Sequence, residues 1–170
     1  VSGHTLSDGT PYVIRVAEDP ADREACFSVR KEVFVAEQGV PEDLEYDAFD
    51  APGASTVHVL AVTEDGTPLG TGRLLHGPGT ADRTGGEPSV GSLGRLAVHR
   101  AARGSRVGAA LVGALEEAAA ACGLTAVDLH AQTHALGFYE RLGYRAYGPE
   151  FLDAGIDHRA MRKPVGGAGG

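Results

Sequence analysis

Residues 99–111 read HRAARGSRVGAAL. Arg100, Arg103 and Arg106, with Gly104 and Gly108, lie between an apolar run, VGSLGRLAV at 90–98, and a helix-like stretch. A helix start leaves backbone N–H groups unpaired and carries partial positive charge, so it attracts anions. Glycines let a phosphate come close to that backbone, and Arg103 and Arg106 supply donors for its oxygens. The pattern reads equally as a surface helix start whose arginines serve solubility. Other phosphate loops fit less well: the Gly-Lys-Ser/Thr ending of a P-loop is absent, and RGSRVG lacks the three glycines of a dinucleotide fingerprint.

Outward from this stretch, composition narrows the field. The chain has 170 residues, 42% hydrophobic and 22% charged, which suits one globular domain with a core of its own. A net charge of −8 argues against general affinity for nucleic acid or an anionic membrane, and makes a local basic patch from Arg95 to Arg106 informative. No apolar run reaches bilayer length, and the first residues lack the basic start and apolar stretch of a signal peptide. Cys26 and Cys122 are far apart and fall in helix-like segments, so they are expected to be reduced core residues of a cytoplasmic protein.

PYVIRVA at 11–17 predicts a strand. Asp19 as N-cap and Pro20 behind it predict a helix with Cys26, Val29, Val33 and Phe34 on one face, ending at Gly39 and Pro41. VPEDLEYDAFDAPGAS at 40–55 is an acidic loop or short second helix. Residues 56–76 form a hairpin turning at the Asp65-Gly66 pair. GPGTADRTGGEPS at 77–89 predicts a flexible loop. A strand precedes the arginines. The helix behind them carries Val107, Leu111, Leu115 and Cys122 along one face and closes at Gly123. A strand at 124–131, a short helix ending at Gly143 and two last strands complete an α/β (α+β) fold: a central mixed sheet with helices on both faces, not a doubly wound order. The expected organisation is a flexible lead-in at 1–9, one domain at 10–163 and a disordered Gly-rich tail at 164–170.

GRLAVHRAARGSRVGAALV at 94–112 resembles the acetyl-CoA-binding motif of the GNAT superfamily of N-acetyltransferases, with Arg103, Gly104, Ser105, Arg106, Val107 and Gly108 in the motif positions. Arg106 stands where the first motif glycine is expected. A second stretch, LHAQTHALGFYERLGYRAYG, places Gln132, Ala135, Phe138, Tyr139, Gly143 and Tyr144 on the superfamily's next motif. RKEVFVAEQGVPEDLEYDAFD and FLDAGIDHRAM resemble the ElaA-like subgroup, in which a Lys-like residue also replaces that glycine.

The resemblance implies an acetyl-CoA-dependent N-acetyltransferase that acts on a primary amine of a small molecule, peptide or protein by direct attack in a ternary complex. It implies that backbone N–H groups of Leu96, Ala97 and Val98 hold the pantetheine and polarise the thioester. It also implies that the 103–108 loop binds the diphosphate with Gln132 and Phe138 contributing to the cofactor site, and that Tyr139 is the acid toward the thiolate. Neither cysteine lies in these motifs, which argues against an acyl-enzyme. For the base, Glu37, His130 and His158 are candidates, as is a water chain.

Glu37 and Gln38 are expected to shape the acceptor pocket, with His130, Asp47 and Asp50 as further substrate candidates. Glu42 and Asp43 read as part of a solvated acidic run. No zinc-like ligand spacing joins His130, His134 and His158, so no metal is expected. The alternative function is a non-catalytic acyl-CoA sensor. Pairing of two copies through the last strands is an arrangement the fold allows.

Overall fold

The computed structural model describes residues 2–40, 47, 50–51, 55–77, 89–153 and 155–165. Among these residues eight strands run β1 (Ser2–Thr5), β2 (Pro11–Val16), β3 (Thr56–Thr63), β4 (Pro68–Leu75), β5 (Val90–Val98), β6 (Ala126–Gln132), β7 (Arg145–Asp153) and β8 (Ile156–Pro164). Their order in the sheet is β1-β2-β3-β4-β5-β6-β8-β7. The β5–β6 pairing is parallel, while β1–β2, β2–β3, β6–β8 and β7–β8 are antiparallel, so the sheet is mixed. The helices are α1 (Pro20–Arg30), α2 (Val107–Ala121) and α3 (Leu136–Arg141). The chain forms two compact units, residues 1–74 with 95–115, and residues 75–94 with 116–170. Among the described residues no helix is long and apolar enough to cross a membrane.

In the first unit, β1 arises in a segment expected to be flexible. SGHT has no apolar alternation because β1 is an edge strand, paired through its backbone, with His4 opposite Tyr12 and their rings stacked at 5.2 Å. Asp19 caps α1 by accepting from the Asp22 N–H at 2.8 Å, and Pro20 takes the first helical position, as the sequence predicts. The expected single helix to Gly39 divides. After Arg30 the chain widens into a π-helical segment, Lys31–Glu37, where Gln38 N–H donates to the Val33 carbonyl five residues back. Gly39, at φ 73°, ends it.

Cys26 packs with Ala17, Leu60 and Val62, and Val29 and Val33 pack with Ala97. Against β4, α2 lies so close that a Cβ on Gly70 would stand 2.9 Å from Leu111 Cδ1 and 3.0 Å from the Ala97 carbonyl oxygen. One on Gly72 would stand 2.8 Å from Leu115 Cδ1.

Val107, Leu111, Leu115 and Ala119 are buried in steps of four along α2. Cys122, expected on that face, is exposed. The helix has already closed: Gly123, left-handed at φ 79°, donates to Ala120, and Leu124 N–H donates to the Ala119 carbonyl, which turns Leu124 inward in place of the cysteine.

In the second unit, β6 packs Val127, Leu129 and Ala131 inward, and Met161 of β8 lies opposite Leu129. Strand β8 runs to Pro164, and Val165 N–H donates to Thr125, so the ordered chain extends past the expected start of the tail. Residues 166–170, the expected flexible loop from residue 78 to residue 88, and Glu42, Asp43 and Glu45 lie outside the described residues.

Candidate functional site: the 103–108 loop, the α1 charge row and the β6–β8 face

In the first unit, β5 leads through a short 3-10 turn, Arg100–Ala102, into the loop before α2. Two residues of this loop are left-handed: Gly104 at φ 85° and Arg106 at φ 64°. The second value explains the departure at Arg106. That position needs the conformation a glycine would take, and an L-residue holds it at a cost of roughly 1–2 kcal/mol. The α2 N-terminus follows directly at Val107 and Gly108, so its first N–H groups have no acceptor within the helix. Ser105 Oγ accepts from the Ser7 N–H at 3.1 Å and lies 2.9 Å from Ser7 Oγ, which ties the β1–β2 turn to the loop.

Arg103 is held on two sides: its Nε donates to the Val98 carbonyl at 3.0 Å and its Nη2 to Glu37 Oε1 at 2.8 Å. Arg100 stands 3.8 Å from the same oxygen. Glu37, a base candidate, is therefore the counter-ion of the loop arginines. Gln38 is exposed at the end of the π-helical segment. Leu96 and Val98 are half-buried, and Ala97 is buried beneath α1.

Asp47 and Asp50, the acidic substrate candidates, sit in a row of alternating charges. Arg30 of α1 donates twice to Asp50, at 2.6 and 2.8 Å. Arg73 of β4 donates to Asp50 at 2.9 Å and twice to Asp47, at 2.7 and 2.8 Å. Arg95 of β5 closes the row, its Nη2 donating to Asp47 at 3.4 Å. Asp50 is 2% exposed, which removes it from any surface that a substrate could meet. Burial alone would raise its carboxyl, but the Arg30 and Arg73 guanidiniums and the Asp47 N–H hold it far below the usual carboxylate range. Asp47 stays partly open at 24% exposure. His58, 3.9 Å from Asp50, is pushed down to about 4 by burial and by Arg30 and Arg73, against the pull of Asp50.

Arg30 and Arg73 were not singled out by the sequence. The signal was there in hindsight: arginines inside an apolar helix face and an apolar strand, both buried. Arg95 is also left-handed, at φ 50°, in the middle of β5, and the β5–β6 ladder runs from Val90↔Ala126 to Leu93↔Leu129, just short of it.

In the second unit, Gln132, His158 and Phe151 lie opposite one another across β6, β8 and β7, and His130 shares their face two residues along β6. Phe151 stacks on His158 at 5.9 Å and meets His130 edge-on at 5.0 Å. His158 Nδ1 lies 2.7 Å from the Ile156 carbonyl, which can only accept. Nδ1 therefore carries a proton, and in the neutral tautomer that this contact selects the lone pair lies on Nε2. His134 Nε2 is 2.6 Å from Gln132 Oε1, so the glutamine carbonyl is engaged.

Tyr139 of α3 packs edge-on to Phe138 at 4.9 Å and to Tyr144 at 5.8 Å, and burial pushes its hydroxyl up to about 12. It is thus a phenol, a donor, throughout the neutral range. Phe138, expected to contribute to the cofactor site, is half-buried; the buried aromatic is Tyr144, whose hydroxyl donates to Glu116 at 2.9 Å. Burial raises the Cys26 thiol to about 11, which leaves it unreactive. Among the described residues no group of His, Cys, Asp and Glu is arranged to hold a metal ion.

Comparison with known proteins adds sequence and fold relatives. The pattern of a family described as an acetyltransferase (GNAT) domain matches residues 16–165. An uncharacterized N-acetyltransferase of Bacillus subtilis strain 168, YjcF, is 37% identical over 149 residues, 87% of this chain and 96% of that protein. An acyl-CoA N-acyltransferase of Pseudomonas aeruginosa superposes with a TM-score of 0.72 at 32% identity, covering 89% of this chain and 97% of that one. Escherichia coli ElaA shares the fold, with a TM-score of 0.73 at 24% identity over 89% of this chain and 97% of its own.

Proposed function

The chain belongs to the GNAT acetyltransferase family, and from that premise we propose that it moves an acetyl group from acetyl-CoA to a primary amine, by direct attack of the amine within a ternary complex. The acceptor is an amine of a small molecule, a peptide or a protein. The observation that carries the reading is the left-handed loop at Gly104 and Arg106 opening directly onto the α2 N-terminus. Such a loop turns several backbone donors toward one anion, and the partial charge of the helix favours a diphosphate there.

The roles follow from chemistry. N–H groups of the 103–108 loop, with Arg103, take the diphosphate. In doing so the donor competes with Glu37 for Arg103, so Glu37 is a counter-ion in this proposal and not the base. The N–H groups of Leu96, Ala97 and Val98 stabilise the oxyanion that forms as nitrogen attacks the thioester. Collapse of the tetrahedral intermediate releases a thiolate, and Tyr139, a phenol at working pH, gives it a proton. The amine must lose a proton, and the Nε2 lone pair of His158 is the acceptor for it, directly or through water. His130 and Phe151 flank that ring and form a wall for the acceptor. The unreactive thiol of Cys26 supports transfer without an acyl-enzyme.

The test is acetyl-CoA-dependent thiol release over a panel of primary amines at mildly alkaline pH, for the parent protein and for Tyr139→Phe. Release with one amine class, lowered in the variant while acetyl-CoA affinity holds, is the expected result. A rise in melting temperature with acetyl-CoA but no release with any small amine, peptide or protein acceptor would replace transfer by acyl-CoA sensing.

A further inference from the structure

The charge row of the first unit ends on a strained residue. Arg95 holds φ 50° in the body of β5, a conformation that L side chains rarely adopt and that persists only where the surroundings impose it. Its guanidinium reaches Asp47, partly open to solvent. Asp47 is itself fixed by a two-point grip from Arg73, Arg73 by Asp50, and Asp50 by a two-point grip from Arg30 in α1. Five charges therefore run from the helix interior to one backbone kink. A buried row of this kind contributes little to stability that apolar side chains would not, so stability alone does not account for it. The kink supplies a further reason, because it lies one residue before Leu96, Ala97 and Val98.

We propose that Asp47 is a positioning residue for the acyl donor: by gripping Arg95 it holds β5 in the left-handed kink that aims the Leu96–Val98 N–H groups at the thioester carbonyl. This rests on the assignment of acetyl-CoA as donor. In this role Asp47 touches neither donor nor acceptor. It acts through Arg95, and its own direction is set by α1 and β4. Asp47 thereby serves the donor, although the sequence places it among the substrate candidates.

The experiment needs no acceptor. Acetyl-CoA carrying carbon-13 at the acetyl carbonyl is bound to the protein, and the thioester resonance reports polarisation by moving downfield of its free position. Arg95→Ala and Arg95→Gly both remove the guanidinium, yet glycine adopts the left-handed kink without strain and alanine does not. The downfield displacement is expected in the parent and in Arg95→Gly. It is expected to shrink toward the free position in Arg95→Ala and in Asp47→Asn, and to return in the double variant Asp47→Asn with Arg95→Gly. CoA lacking the acetyl group is expected to stay bound in every variant through the untouched 103–108 loop, with any loss of affinity confined to the pantetheine contacts of Leu96–Val98.

A full displacement in Arg95→Ala and Asp47→Asn overturns the positioning role alone. Failure of the parent to bind acetyl-CoA overturns the donor assignment and this role with it. Should Asp47→Asn fail to fold, Arg95→Ala still decides, because it leaves the pairs among Arg30, Asp50, Arg73 and Asp47 in place.

Discussion

Replacing Arg106 by glycine separates the conformation of the loop from its charge. Arg106 sits at φ 64° with its side chain exposed. The left-handed conformation costs an L-residue about 1–2 kcal/mol. Glycine escapes that cost but loses more chain entropy on folding, about 0.5–1 kcal/mol. Arg106→Gly is therefore expected to stabilise the fold by about 0.5–1 kcal/mol, a rise of roughly 1–4 °C in melting temperature for a chain of this size. Arg106→Ala removes the same charge and keeps the strain, so its melting temperature should stay at that of the parent. Donor affinity should respond to charge alone and equally in both variants. One charge pair at about 5 Å in water is worth roughly 0.8 kcal/mol, so the dissociation constant for CoA should rise by up to about fourfold. Thermal melts without ligand and calorimetric titration with CoA measure the two effects. A glycine variant no more stable than the alanine variant would refute the left-handed assignment at Arg106. A loss of CoA affinity in one variant and not the other would refute the separation of backbone from charge.

Three further outcomes follow from the same geometry. Glu37→Gln frees Arg103 from its counter-ion, and an exposed pair is worth about 0.2–1 kcal/mol, so CoA should bind up to about fivefold tighter in calorimetry; unchanged affinity with lost turnover would return Glu37 to the role of base. Asp50→Ala leaves Arg30 and Arg73 buried without their shared carboxylate and should cost about 3–5 kcal/mol in urea unfolding, whereas a loss under about 1 kcal/mol would mean that water reaches the site. His58 titrates near 4 in the fold against 6.5 outside it. The unfolded chain thus binds more protons between those values, and stability falls as pH drops through that window by up to about 1.4 kcal/mol per pH unit; in His58→Gln this slope should vanish from pH-dependent urea melts.

What the sequence discloses and what it hides divide by distance along the chain. The 103–108 loop is legible as a local structure because its parts are neighbours: strand, arginines, glycine and helix start fall within a dozen residues, and each follows a local rule. The Asp19 cap and the Gly123 closure are local for the same reason. Asp47 and Asp50 read as substrate candidates in the sequence because their partners, Arg30, Arg73 and Arg95, come from other elements, which only the fold brings near. The π-helical segment escapes periodicity because a bond to the fifth residue back, at Gln38, leaves Val29 and Val33 on the same face as an ordinary helix would. Cys122 keeps the helical spacing yet misses the core, since the chain reverses one residue later. Strand β1 carries no apolar signature because an edge strand is held by its backbone.

The two glycines of β4 have a consequence for how this sequence can drift. A single methyl at Gly70 or Gly72 would overlap the leucine tips of α2, and at Gly70 a backbone oxygen also. Side chains can yield, but a carbonyl in a strand cannot. Position 72 can therefore be crossed by a lineage that first shortens Leu115, while position 70 has no such stepping stone. Across descendants of this chain, substitutions at 72 should appear in company with a smaller residue at 115, and position 70 should stay fixed.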